Sequence, residues 1–126
     1  MSRRLNAVWL ALAAFAAQIE GTYVGDWSGS SGASGTFHLA VAAAEGKPRC
    51  EVTFGLGAAE VKTRITLCEV EGAKIRAKYE FELQANKLES TIAGELRGDA
   101  LEGKYSTKVV PDGPQVDDGE WKAKRK

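Results

Sequence analysis

Apolar and charged residues alternate without a break in Ile75-Arg76-Ala77-Lys78-Tyr79-Glu80-Phe81-Glu82-Leu83. Successive side chains of a β-strand point to opposite faces of its sheet, so this pattern predicts a strand with one buried and one solvated face. Turn residues flank the stretch, with Glu71-Gly72 before it and Ala85-Asn86-Lys87 after it. Short links of this kind join consecutive antiparallel strands.

The same period of two recurs more weakly on both sides and predicts seven further strands. Their inward-facing residues are Tyr23, Gly25 and Trp27; Phe37, Leu39 and Val41; Val52, Phe54 and Leu56; Val61, Thr63, Ile65 and Leu67; Leu88, Ser90, Ile92, Gly94 and Leu96; Leu101, Gly103, Tyr105, Thr107 and Val109; and Gly119, Trp121, Ala123 and Arg125. Eight sequential strands with short links predict an all-β domain over residues 17–126. We expect an antiparallel up-and-down barrel, with a β-sandwich as the alternative.

The first residues differ from this pattern. Arg3-Arg4 is followed by eleven uncharged residues from Ala7 to Ala17, and Ala14-Phe15-Ala16 has the small residues of a cleavage site. A positive start, a short apolar run and small residues at the cut are typical of a secretory signal peptide. We therefore predict a signal peptide helix over residues 1–16, cleavage after Ala16, and a secreted or periplasmic protein without a membrane span after the leader is removed.

The balance of charges indicates which classes of partner the chain can bind. The chain has 17 basic and 17 acidic residues and one histidine, with no basic stripe to neutralise phosphates, so no nucleic acid partner is expected. In an exported protein, two cysteines more often form a disulfide than a metal site. We expect a Cys50–Cys68 bridge, although strand parity places Cys50 inward and Cys68 outward. A β-bulge near Leu67 to Val70 would reconcile the two directions.

One short motif suggests a family. Gly25-Asp26-Trp27 resembles the opening Gly-x-Trp motif of the calycins, the lipocalin and avidin-like barrels. The resemblance implies a barrel in which the tryptophan lies low and a basic residue of the last strand packs over it. Arg125 has inward parity on the last predicted strand, so the resemblance implies that Arg125 packs over Trp27. It implies barrel topology and no particular ligand.

No group of residues indicates catalysis, a cofactor or a metal, and we expect a protein that is not an enzyme. Asp117-Asp118 with Glu120 indicates a charged turn rather than a calcium cage. The candidate ligand-binding residues are interior aromatic residues and one cation: Trp27, Tyr79, Tyr105, Trp121 and Arg125.

Two functions remain open at this point. The first is a barrel that binds a small apolar or amphipathic ligand. The alternative is an envelope-associated structural or protein-interaction module with a filled core. An aromatic-lined pocket above about 300 Å³ that opens to solvent would favour the first.

Overall fold

The computed structural model describes residues 18–126, and the strands within that range are all antiparallel. The predicted signal peptide helix lies outside the described residues. Helical conformation in the described part of the chain is confined to Gln18 and Ile19, and no helix there is long and apolar enough to cross a membrane. The strands are β1 (Gly21–Gly29), β2 (Ser34–Ala44), β3 (Lys47–Leu56), β4 (Ala59–Lys62), β5 (Arg64–Glu71), β6 (Lys74–Leu83), β7 (Asn86–Arg97), β8 (Ala100–Val109) and β9 (Gln115–Arg125).

The strands form a single sheet in the order β4-β3-β2-β1-β9-β8-β7-β6-β5, which curls into a nearly closed up-and-down barrel. This confirms the all-β class and the barrel rather than the sandwich. The strand count is nine instead of eight because the predicted strand containing Val61 to Leu67 is divided at Thr63. Its first part pairs with β3 and its second part pairs with β6, so one stretch of chain passes from one edge of the sheet to the other.

A disulfide and one hydrogen bond span the seam of the barrel, where β3 and β5 approach each other without ladder pairing in the described residues. Cys50 on β3 is bonded to Cys68 on β5, and their Cα atoms lie 5.8 Å apart. The Thr63 hydroxyl donates to the backbone oxygen of Val52 at 2.7 Å. The disulfide is therefore the covalent closure of the barrel.

A β-bulge between Ile65 and Leu67 turns Cys68 toward the interior. Beyond the bulge Cys68 pairs with Ala77, which is completely buried. The expected change of register is confirmed, but it occurs just before the predicted position. With the bulge in place Cys68 faces the same way as Cys50, which the bridge requires.

The two ends of the barrel differ. Ile19 and Tyr23 are completely buried at one end, where the chain enters β1. We call this the closed end. The turns β1–β2, β3–β4, β6–β7 and β8–β9 all lie at the other end, which we call the open end. The interior between them is filled by inward-facing apolar side chains at alternate strand positions, with charged residues on the outer face.

Gly25 of the Gly-x-Trp motif lies at a close approach of β1 and β9. A Cβ built at Gly25 would overlap the backbone oxygen of Lys122 and lie 2.6 Å from the Cα of Ala123. The glycine therefore permits the close strand approach that a curled sheet needs.

Candidate functional site

A cavity of about 180 Å³ opens at the open end of the barrel. Hairpin turns and the last residues of several strands surround it, so strand alternation places apolar side chains around its walls. Its lining residues are Trp27, Ser31, Ala33, Phe54, Leu56, Tyr79, Phe81, Leu83, Leu88, Ser90, Tyr105, Thr107, Val116 and Asp117. We call this cavity the mouth pocket.

Aromatic rings form the walls of the mouth pocket. The Trp27 ring lies perpendicular to Phe54 and to Tyr105, with ring centroids 6.0 and 5.9 Å apart. Phe54 packs edge-on against Phe81 at 4.9 Å, and Tyr79 lies 6.1 Å from Phe81. The Trp27 indole N–H donates to the backbone oxygen of Gly55 at 3.1 Å, which fixes the ring in its orientation. The walls therefore consist of aromatic rings packed against one another, several of them edge to face.

Hydroxyl groups interrupt this apolar lining. Ser90 and Thr107 are buried and share a hydrogen bond of 2.6 Å between adjacent strands. Burial raises the pKa of Tyr79, against the opposing effect of a hydrogen bond with Ser90, so the phenol stays neutral. These groups offer a bound molecule neutral hydrogen-bond donors and acceptors within an otherwise apolar space.

Asp117 is the ionised group in the lining of the mouth pocket. Its Oδ2 accepts from the Tyr105 hydroxyl at 2.8 Å, and its Oδ1 accepts from the Ser31 backbone N–H at 3.1 Å. Partial burial acts to raise the pKa of Asp117, but the hydrogen bonds from Tyr105 and Ser31 hold it below its ordinary value. Burial and the same carboxylate raise the pKa of Tyr105. The pocket lining at the rim thus carries one carboxylate, Asp117, and one neutral phenol, Tyr105.

The β1–β2 turn is attached to the start of β9 at the same rim. The Ser30 hydroxyl donates to Asp118 Oδ1 at 2.5 Å, and its backbone N–H donates to the Asp118 backbone oxygen at 2.8 Å. Asp117, Asp118 and Glu120 lie within β9, so the expected charged turn is wrong. Among residues 18–126 no group of three or more His, Cys, Asp or Glu side chains is placed to hold a metal ion.

Three of the predicted site residues line the mouth pocket together, and two do not. Trp27, Tyr79 and Tyr105 surround it. Trp121 pairs with Trp27 across β1 and β9, but it is 2% exposed and its ring packs against Phe37 at 5.1 Å. Its indole N–H donates to the Lys104 backbone oxygen at 3.2 Å. Trp121 therefore belongs to the packed interior and not to the pocket lining.

The expected contact between Arg125 and Trp27 is wrong. The β1–β9 register pairs Tyr23 with Arg125 and Trp27 with Trp121, so Arg125 lies at the closed end. Its guanidinium carbon is 5.3 Å from the Tyr23 ring centroid, and Nη2 donates to the Tyr23 hydroxyl at 2.7 Å and to the Gln18 backbone oxygen at 2.8 Å. Arg125 lies four residues, or about 13 Å, along β9 from the position opposite Trp27. This distance separates Arg125 from the mouth pocket.

Asp117 is the charged pocket residue that the sequence-based candidates omit. Its odd number gives it the inward parity of Gly119 and Trp121 on the last strand, which is the signal that would have found it. Ser90 and Thr107 were expected on the inner face, but their mutual hydrogen bond depends on the β7–β8 register. Local periodicity does not give that register.

No protein-family model and no curated protein matches this chain. The nearly closed antiparallel barrel is compatible with a calycin-like barrel at the level of architecture.

Proposed function

We propose that this protein is an exported, non-enzymatic barrel that binds a small apolar or amphipathic ligand in its mouth pocket. The observation that carries the proposal is an unfilled, solvent-open cavity walled by aromatic side chains at one end of an otherwise packed barrel. Concave apolar sites with a few polar groups are the usual form of small-molecule binding sites.

The volume of the mouth pocket limits the ligand. Sites for drug-sized molecules range from about 300 to 1,000 Å³, and this cavity of about 180 Å³ is smaller. An apolar cavity of about 150 Å³ accommodates a benzene molecule. The pocket therefore suits one ring or a compact branched group, with any longer part of the ligand remaining at the rim.

Export is supported by two independent features. Residues 1–16 have the charge, apolar run and small residues of a secretory signal. The Cys50–Cys68 disulfide is consistent with an oxidising compartment outside the cytoplasm, where such bonds persist. A secreted or periplasmic location follows as part of the proposal.

A structural or protein-interaction module of the envelope is the second candidate. The modest volume of the cavity and the filled closed end favour it, because the predicted threshold of about 300 Å³ is not reached. The exposed side chain of Val116 at the rim would then contribute to a contact surface rather than to the entrance of a site.

Thermal shift and native mass spectrometry with small cyclic and branched alcohols, amines and hydrocarbons test the ligand proposal. We expect stabilisation of the wild-type protein and a one-to-one complex with at least one probe. Ala33→Trp places a large side chain in the pocket and should abolish both signals. Ala42→Trp makes the same change on the exposed outer face of β2 and should retain them. No binding by the wild type, or equal binding by Ala33→Trp, would favour the module.

A further inference from the structure

We propose that the mouth pocket selects a small organic cation, and specifically a methylated ammonium group, with Asp117 as its counter-ion. This inference rests on the proposed function, because it assigns a ligand class to the same cavity. The juxtaposition that carries it is a ring of aromatic side chains with a single carboxylate, that of Asp117, among the residues that line the pocket.

The residues that line the pocket carry formal charge of one sign, which is negative. Of the fourteen residues given above for the pocket, Asp117 alone carries a formal charge at neutral pH, since both tyrosines stay protonated. No lysine or arginine is among those fourteen residues. An anionic ligand would lie beside Asp117 without compensation, whereas a monocation would neutralise it in a partly desolvated site.

The aromatic walls favour the same sign of charge. A ring face carries negative electrostatic potential, and it attracts cations that lie within about 6 Å of the ring centroid. Trp27 forms right angles with Phe54 and with Tyr105, so rings meet at the corners of a box rather than in a stack. Such a box presents ring surface to a compact cation from several sides.

Methylation of the cation follows from the hydrogen-bonding capacity of the site. A primary ammonium has three N–H donors, each of which needs an acceptor when it leaves water. Four donors, from Tyr105, the Ser31 backbone and side chain, and the Asp118 backbone, already reach the Asp117 carboxylate, so a primary ammonium there would displace existing hydrogen bonds. A trimethylammonium group has no N–H donors, is similar in size to a benzene ring, and exposes only methyl groups to the walls.

A matched pair of probes separates charge from shape. Choline and 3,3-dimethyl-1-butanol differ by replacement of the charged nitrogen with carbon and otherwise have nearly the same shape. Calorimetric titration of the wild-type protein at low ionic strength should give choline at least ten-fold tighter binding than the neutral alcohol. Binding of the alcohol as tight as choline, or tighter, would overturn the cation proposal while leaving the proposed function intact. Failure of both probes and of the wider panel would overturn both.

Two substitutions, each of which removes one carboxylate, test whether the preference for choline arises at Asp117. Asp117→Asn keeps an oxygen that can accept from Tyr105, and it should weaken choline binding five-fold or more while leaving the alcohol unchanged. Asp112→Asn removes one charge in the exposed β8–β9 turn outside the pocket lining, and it should change choline binding less than two-fold. Equal loss in the two variants would assign the preference to general surface charge and contradict a site at Asp117. The comparison of the two probes on the wild type stands even if Asp117→Asn folds poorly.

Discussion

At the scale of single residues, the two ends of the barrel use tyrosine hydroxyls differently. Tyr23 is completely buried at the closed end, where its hydroxyl donates to the Ile19 backbone oxygen at 2.7 Å and accepts from Arg125. Tyr105 at the open end is half-buried and donates to Asp117. One tyrosine seals the interior, and the other fixes a charged group at an entrance.

Removing the Tyr23 hydroxyl should destabilise the protein without affecting the mouth pocket. Tyr23→Phe leaves the Ile19 oxygen and part of the Arg125 guanidinium without a partner in a buried place, which costs about 1 to 3 kcal/mol. Urea unfolding measures the loss, and the choline titration should stay unchanged. A loss below about 0.5 kcal/mol would contradict the sealing role.

The depressed pKa of Asp117 gives a pH-dependent contribution to stability. A carboxyl group whose folded pKa lies below its unfolded value stabilises the fold above the unfolded value, about 3.9, and loses that contribution as pH falls through the folded value. The stability difference between wild type and Asp117→Asn should be constant from pH 6 to 8 and shrink below about pH 4. Chemical unfolding at several pH values measures it, and a difference that grows on acidification would contradict the assignment.

At the scale of elements, the sequence correctly predicts which face of a strand is buried, but it does not predict which strands pair with each other. The alternation from Ile75 to Leu83 correctly gives β6 and its buried face, because side-chain period is a local property of a strand. The division at Thr63 and the bulge before Leu67 depend on which strands lie beside the chain, and the local pattern does not contain that information.

The same distinction holds at the candidate site. Inward parity correctly brings Trp27, Tyr79 and Tyr105 to the interior. The place of Arg125 depends on the register between β1 and β9, which pairs it with Tyr23. Trp121 pairs with Trp27 in that register, but its ring packs against Phe37, a contact that parity does not give. Two of the five predicted residues therefore face inward but lie away from the pocket.

The close approach of β1 and β9 makes Gly25 sensitive to a single added methyl group. Gly25→Ala should cost about 2 to 3 kcal/mol, because the Cβ meets backbone atoms of β9 that cannot turn away. Gly57→Ala is the matched control, since a Cβ there meets nothing within 4 Å and only its positive φ of 61° opposes the change. That control should cost about 1 kcal/mol. Equal losses in thermal or chemical unfolding would contradict the close approach.

At the scale of the whole molecule, the barrel is closed by backbone ladders everywhere in the described chain except at the seam between β3 and β5. The Cys50–Cys68 disulfide spans that seam, with support from the bond between Thr63 and Val52. The bridge therefore has an architectural position that its spacing of 18 residues along the chain does not reveal.

Loss of the disulfide should weaken the barrel locally at the seam. A disulfide closing a loop of this length contributes about 3 kcal/mol in chain-entropy models. The paired variant Cys50→Ala/Cys68→Ala should lose about that amount, with amide hydrogen exchange accelerated more strongly in β3 and β5 than in β8 and β9. Uniform acceleration across all strands would show that the bridge acts on the whole fold rather than on the seam.

The most direct test of a barrel with one filled end and one open end uses its tryptophans. Trp27 lines the mouth pocket and Trp121 lies in the packed interior, and both indole N–H groups are hydrogen-bonded to backbone oxygens. Titration of ¹⁵N-labelled protein lacking residues 1–16 with choline and with 3,3-dimethyl-1-butanol should shift the Trp27 indole signal and the Asp117 amide, and leave Trp121 and Tyr23 unmoved. Shifts at Trp121 or Tyr23, or no shift at Trp27 with either probe, would contradict ligand binding at the open end.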